Sequence, residues 1–178
     1  VQKVDFLHSS LEKVMPVEFL TEYHKNHYGK FKDEPSDIQL AKYFHLDDAD
    51  RALINKQRRD FNRLGFALQL STVRFLGTFL ADPTNVPDGV VEFVMQQIGM
   101  KSTVYLGQYL EREKTHRQHR VEIQQCYGYS EFRAKFWRFR LIRLLYSRAW
   151  LNNERPTLMF DFSVAWLVKN KVLLPGVT

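Results

Sequence analysis

The sequence predicts an all-α fold of two small helical modules, with helix-turn-helix-like hairpins packed on longer buried helices. Three observations carry that expectation. The second half of the stretch from Arg58 to Leu80 is apolar on nearly every face, as in a helix enclosed by other helices. Helix starts are marked by capping residues, Ser36 with Gln39 at the capping-box position and Asp47 further on. Elsewhere apolar residues recur at helical spacing, as at Val90, Val91, Val94 and Ile98.

In chain order, Phe6, Leu7, Leu11 and Val14 predict a short amphipathic helix. Met15-Pro16 reads as a natural translational start, so residues 1–14 are set apart as an N-terminal extension. A helix from Glu18 to Tyr28 ends near Gly29. The next runs from the Ser36 cap to Phe44 and is expected to bury Ile38, Leu40, Ala41 and Tyr43 or Phe44. After a turn at His45-Leu46, Asp47 caps a helix through Ala49, Leu53 and Ile54 to about Gln57. A short helix, a tight turn and a second helix ending in Lys56, Arg58 and Arg59 have the outline of a helix-turn-helix, which any αα-hairpin shares. Asp47, Asp48 and Asp50 fall in a first helical turn, where carboxylates complement the dipole, so capping rather than metal binding is their expected role.

The buried helix follows, from about Phe61 to Leu80. Gly65 and Gly77 inside it each cost about 1 kcal/mol relative to alanine, so close approach of another helix is expected at both. The run from Ala81 to Pro87, with two prolines, is the clearest break in the chain. It divides a first module, 15–82, from a second, 83–178. In the second, a helix from Gly89 to Ile98 ends at Gly99, and Ser102 caps a helix through Tyr105, Leu106, Tyr109 and Leu110. Thr115 caps another, with Gln118 at the capping-box position, Val121 and Ile123 buried, and Gly128 at its end. A long helix runs from about Glu131 to Leu151, and Pro156 opens a last one to Lys169. Residues 36–59 and 102–120 look like two versions of one hairpin, without a residue-level repeat.

The chain has 178 residues, 44% of them hydrophobic, which is enough for a real core in one ordinary domain or two small ones. Its single cysteine, Cys126, rules out an internal disulfide and fits a reducing cytoplasm. The first residues lack the apolar core of a signal peptide, and charges interrupt every apolar run before it reaches the length of a membrane span. A soluble cytoplasmic protein with no membrane partner is expected. The net charge of +6 is unevenly spread. Residues 1–111 hold 13 Lys and Arg against 15 Asp and Glu, whereas residues 112–148 hold 10 against 3. A solvated face mixes signs, so this concentration points to a polyanion partner. Tyr127, Tyr129, Phe132, Phe136, Trp137 and Phe139 are interleaved with those cations, a mixture suited to phosphate contacts with some stacking. Arg133, Lys135, Arg138, Arg140, Arg143 and Arg148 do not share one helical face, so some must lie over apolar neighbours or pair with carboxylates.

At about 100° per residue, Arg59, Arg63 and Arg74 fall within roughly 60° of one another. Such a row suits a phosphate backbone, the alternatives being caps of neighbouring helices or solvated side chains. The expected DNA-binding set is Arg58, Arg59, Arg63, Arg74, Arg117 and Arg120 for the backbone, with Asn62 also in the set. For base edges it is the second helix of each hairpin, which nominates Arg51, Asn55, Lys56 and the span Thr115, His116, Arg117, Gln118 and His119. His116, His119 and Cys126 lack a fourth ligand and a recognised zinc spacing, so no metal site is predicted. No Gly-rich phosphate loop, nucleophile elbow or Ser-His-Asp set occurs, so no catalytic residue and no cofactor is expected in this chain. The competing reading is a protein-interaction module for assembly with only non-specific DNA contact.

Several stretches carry a resemblance: Met15 to Thr21, Gln39 to Asp50, Asn62 to Leu70, Thr72 to Leu80, Tyr127-Gly128-Tyr129, Arg148-Ala149-Trp150 and Lys171 to Gly176. In order, and from Met15 to the end, they resemble the N-terminal region of the large replicative transposases of the bacterial Tn-three family. The resemblance implies sequence-specific binding of the terminal inverted repeats of a transposon, in a cytoplasmic protein associated with nucleoid or plasmid. It also implies a separate C-terminal RNase H-like domain that holds the acidic catalytic residues and Mg²⁺, which nothing here matches, and self-association in the full-length protein. One departure matters. Where family members have Thr-Arg-x-x-His, this chain has Thr115-His116-Arg117-Gln118-His119, with Arg117 a candidate to replace the missing arginine.

Overall fold

The computed structural model describes residues 21–100 and 105–176. The helix expected before Val14, the start expected at Glu18 and the Ser102 cap lie outside them. The described residues form an all-α fold, as predicted. Its helices are α1 (Glu22–His27), α2 (Asp37–Gln39, continued by a π-helical turn Leu40–Phe44), α3 (Asp48–Lys56), α4 (Asp60–Leu76) and α5 (Asp88–Gln97). They continue with α6 (Tyr105–Leu110), α7 (Glu113–Tyr127), α8 (Lys135–Leu151) and α9 (Pro156–Lys169). Two short strands, β1 (Ser130–Glu131) and β2 (Val172–Leu173), pair in parallel.

Helix α4 is the axis of the fold. Phe61 and every residue from Leu64 to Val73 are buried, because α3, the π-helical turn, α5, α6 and α7 all pack on it. That enclosure explains a helix with almost no polar face. Both glycines are closely approached, Gly77 by Val168 of α9, but only Gly65 lies within the helix. A side chain at Gly65 would occupy the space of the Tyr109 ring, so α6 approaches closely there, as expected. Gly77 is not inside the helix: it adopts φ +73° and its N–H bonds the Val73 carbonyl at 3.0 Å. This left-handed stop ends α4 at Leu76 rather than near Leu80.

The first hairpin is capped as the sequence indicated. The Asp47 carboxylate accepts from the Asp50 N–H at 2.8 Å, and that of Asp50 accepts from the Asp47 N–H at 3.1 Å. The preceding helix differs. Its π-helical turn brings Phe44 fully inside with Leu40 and Tyr43 against the core, while Ile38 and Ala41 face outward.

One hydrophobic core crosses the loop where the module boundary was expected. Phe44, Leu64 and Phe66 share it with Val90, Val94 and Ile123. Polar ties reinforce the join: the Gln97 side chain accepts from the Leu46 N–H at 2.7 Å and donates to the Phe44 carbonyl at 3.0 Å, and the Glu34 carboxylate accepts from the Gly89 N–H at 2.9 Å. The loop turns on itself around Asp82, which accepts from the Thr84 N–H and hydroxyl, and so connects two parts of one packed body.

A second, smaller cluster of Leu141, Leu167, Val172 and Leu174 lies between α8, α9 and β2. The returning chain docks on the first half, where the Leu174 N–H bonds the Gly77 carbonyl at 2.9 Å and the Tyr28 hydroxyl donates to the Pro175 carbonyl at 3.0 Å. Strand β1 occupies the place where the long helix was expected to begin, and α8 starts only at Lys135.

Candidate nucleic-acid interface

The link between α3 and α4 is only three residues long, Gln57 to Arg59, and ends in a strained residue. Arg59 has φ +72° and ψ 143°, a conformation that side chains rarely adopt. It holds the Arg59 guanidinium 5.7 Å from the Phe61 ring centroid, and Arg112, at the start of α7, lies 5.8 Å from the same ring. The two hairpins therefore present their cations side by side, 53 positions apart in sequence. Arg58, Arg59 and Arg112 are all exposed, as are Asn55 and Lys56 at the end of α3. A further tie joins the same elements: Gln57 donates to the Glu122 carboxylate at 3.1 Å. The opposite end of α3 is acidic, with Asp47 and Asp48 exposed, so the basic end of this helix is its C-terminus.

Helix α7 has its phase set by His116, His119 and Ile123, all buried. That places Lys114, Arg117, Gln118, Val121 and Gln125 on the opposite face, every one exposed. Val121, expected inside, is 47% exposed, and the helix starts at Glu113 with Arg112 at the cap position, so the half-buried Thr115 lies within the first turn instead of capping it. Sequence reasoning nominated Gln118 within the span Thr115 to His119 but passed over Arg112, Lys114, Val121 and Gln125 as contacts. The signal was present: taking His116, His119 and Ile123 as the inner stripe at i, i+3 and i+7 yields this outer face.

Several nominated side chains are engaged within the protein. Arg74 grips the buried Asp50 carboxylate with both terminal nitrogens, at 2.8 and 2.6 Å, and Tyr127 donates to the same carboxylate at 2.5 Å. Burial alone raises the Asp50 pKa, but the hydrogen bonds from Arg74 and Tyr127 and the Arg74 charge outweigh it and hold the carboxyl below its ordinary range. Arg74 thus turns inward, and the row of Arg59, Arg63 and Arg74 does not form one free surface. Arg63, partly exposed, donates to the Gln57 carbonyl at 3.3 Å and lies 3.5 Å from Asp60. Arg120 is half-buried, donating to the Leu80 and Ala81 carbonyls, and Arg51 and Asn62 are likewise half-buried.

His116 and His119 serve the core. His116 Nε2 donates to the Tyr109 carbonyl. The Tyr109 hydroxyl accepts from Gln69 at 2.7 Å and meets His119 Nδ1 at 2.8 Å. With its one proton given to His119, the relay runs Gln69 to Tyr109 to His119 and requires an unprotonated Nδ1. Burial pushes the His119 pKa down to about 4, and the neighbouring His116 adds to the shift. Both rings point away from the outer face of α7. Cys126 is exposed, and among the described residues no group of three or more His, Cys, Asp or Glu is placed to hold a metal ion. No described helix is long and apolar enough to cross a membrane.

The described residues form a helical body in which the ends of two hairpins carry exposed cations. Residues 19–178 match the family described as a domain of unknown function, DUF4158. The chain is 57% identical over 164 residues to the transposase for transposon gamma-delta of Escherichia coli, covering 92% of this chain and 16% of that protein. It is 34% identical over 139 residues to the transposase for transposon Tn1546 of Enterococcus faecium, covering 78% of this chain and 14% of the relative. The chain belongs to the DUF4158 family and matches one region of these Tn-three family transposases. It spans about a sixth of the length of these relatives.

Proposed function

We propose that this region binds the terminal inverted-repeat DNA of a transposon, with the catalytic chemistry of transposition carried by another part of the polypeptide that binds Mg²⁺. The observation that supports it most is the approach of Arg59 and Arg112 to the same Phe61 ring. Phosphate contact falls to Arg58, Arg59 and Arg112, exposed at the ends of the two hairpins, and to Arg117, exposed on the outer face of α7 beside Glu113 at 2.9 Å. Base reading falls to the outer face of α7. Lys114 suits guanine O6 and N7, Gln118 and Gln125 suit the N6 and N7 edge of adenine, and Val121 offers a methyl contact to thymine. Asn55 and Lys56 extend the contact along the end of α3. The relatives named as transposases are from bacteria, which supports a cytoplasmic setting, with nucleoid or plasmid DNA as the partner.

The test is a mobility shift on the cognate terminal repeat beside a scrambled duplex of equal length, at physiological salt. The proposal expects tight binding to the repeat, by at least about a thousandfold over the scrambled duplex. Equal affinity for the two would overturn the sequence-specific reading.

A further inference from the structure

Helix α8 carries a surface that neither the core nor the DNA reading uses. It packs inward through Leu141, with Trp137 and Leu145 beside it. On the opposite side, Phe136, Phe139, Ile142, Tyr146 and Trp150 fall within about 120° of arc. Each is more than half exposed, Trp150 by 74%, and the nearby Leu151 by 81%. At about 200 Å² per large side chain these six expose on the order of 700 Å² of largely apolar surface. That exceeds the few hundred Å² usual on a monomer and approaches the roughly 800 Å² that each partner gives to a stable protein interface.

The charge pattern selects the occupant. From Lys135 to Leu151 the helix has five cations and no carboxylate. Arg138 and Arg140 border the arc, and Lys135 and Arg143 lie within it. Arg140 and Arg143 rest over aromatic rings, at 5.3 Å from Phe136 and 6.0 Å from Phe139, and both side chains are exposed. Two copies of such a helix would bring like charges together. Duplex DNA would pair with the cations but leave the apolar centre of the arc wet. The relatives, by contrast, have more than four-fifths of their length outside the matched region, since the match spans 16% of one and 14% of the other.

We infer that the outer face of α8 docks on an apolar protein surface edged with carboxylates, in the remainder of the transposase polypeptide. This interface stands independently of which DNA the chain binds. It is tested by placing a single thiol on the arc, Tyr146→Cys in a Cys126→Ser background, and measuring its maleimide labelling rate. The rate is compared between the isolated chain and the whole transposase, both without DNA, with Glu92→Cys on α5 as an exposed reference. Docking slows labelling at position 146 by at least about tenfold in the whole protein and leaves position 92 unchanged. In the whole protein, Arg138→Glu combined with Arg143→Glu restores labelling. Equal rates in both proteins would overturn the inference. So would protection that appears only when DNA is added, or protection in the isolated chain that grows with its concentration. Protection insensitive to the charge reversals would overturn the acidic partner.

Discussion

At the scale of single residues, the polar groups that looked most available are the ones the fold has used. Arg74, His116 and His119 have the composition of a DNA-binding set, and spacing along a helix put the arginine beside Arg63. What spacing cannot show is the partner: Asp50 lies 24 positions before Arg74, and Tyr109 reaches both histidines from another helix. His119 gives a pH prediction. Its pKa falls from 6.5 to about 4 on folding, so the neutral ring favours the native state. That stability is present above pH 6.5 and is lost as pH falls towards 4, by up to about 3 kcal/mol. Urea unfolding across this range should show the decline, and His119→Gln should flatten it. An unchanged slope in the variant would assign the decline to other groups.

At the scale of elements, caps and breakers were legible and helix phase was not always. The Asp47 capping box, the Gly128 stop and the Pro156 start occur where local chemistry requires them. The phase of α7 was missed because Val121 was assigned inward on hydrophobicity alone, whereas two histidines satisfied by Tyr109 hold the inner stripe with Ile123. Likewise β1 forms only because β2, some forty residues later, returns to pair with it, and a single stretch of sequence does not encode such a partner. The corrected phase makes a prediction for this element. Gln118→Ala should cost about 1–3 kcal/mol of discrimination at one or two base pairs of the terminal repeat, with thermal stability unchanged, in a binding assay on single-base variants. Uniform weakening across all variants would assign Gln118 to the backbone.

At the scale of the whole molecule, the two hairpins act as one body. The break at residues 81–87 looked like a boundary because prolines and turn formers end helices, but they do not report whether the flanking helices share a core. Asp50 joins the parts again from inside, held by Arg74 on α4 and Tyr127 at the end of α7. Removing Arg74 leaves a buried carboxylate without its counter-charge, so Arg74→Ala should destabilise by about 3 kcal/mol, and Tyr127→Phe by about 1–2 kcal/mol. Chemical denaturation would measure both, and a loss under 0.5 kcal/mol for Arg74→Ala, roughly the scale of a surface change, would deny the pairing its structural weight.

The shared core brings Arg59 and Arg112 to the same Phe61 ring, at 5.7 and 5.8 Å, and the proposed DNA contact centres on that placement. Arg59→Gly removes one charge and also relieves the backbone at φ +72°, so it should not lower the melting temperature. Combined with Arg112→Gln, it gives the most direct test: the dependence of terminal-repeat affinity on salt concentration. Two lost phosphate contacts should make the slope of log affinity against log salt shallower by about 2. A stable double variant that keeps the wild-type slope and affinity would contradict the placement of DNA across the paired hairpin ends.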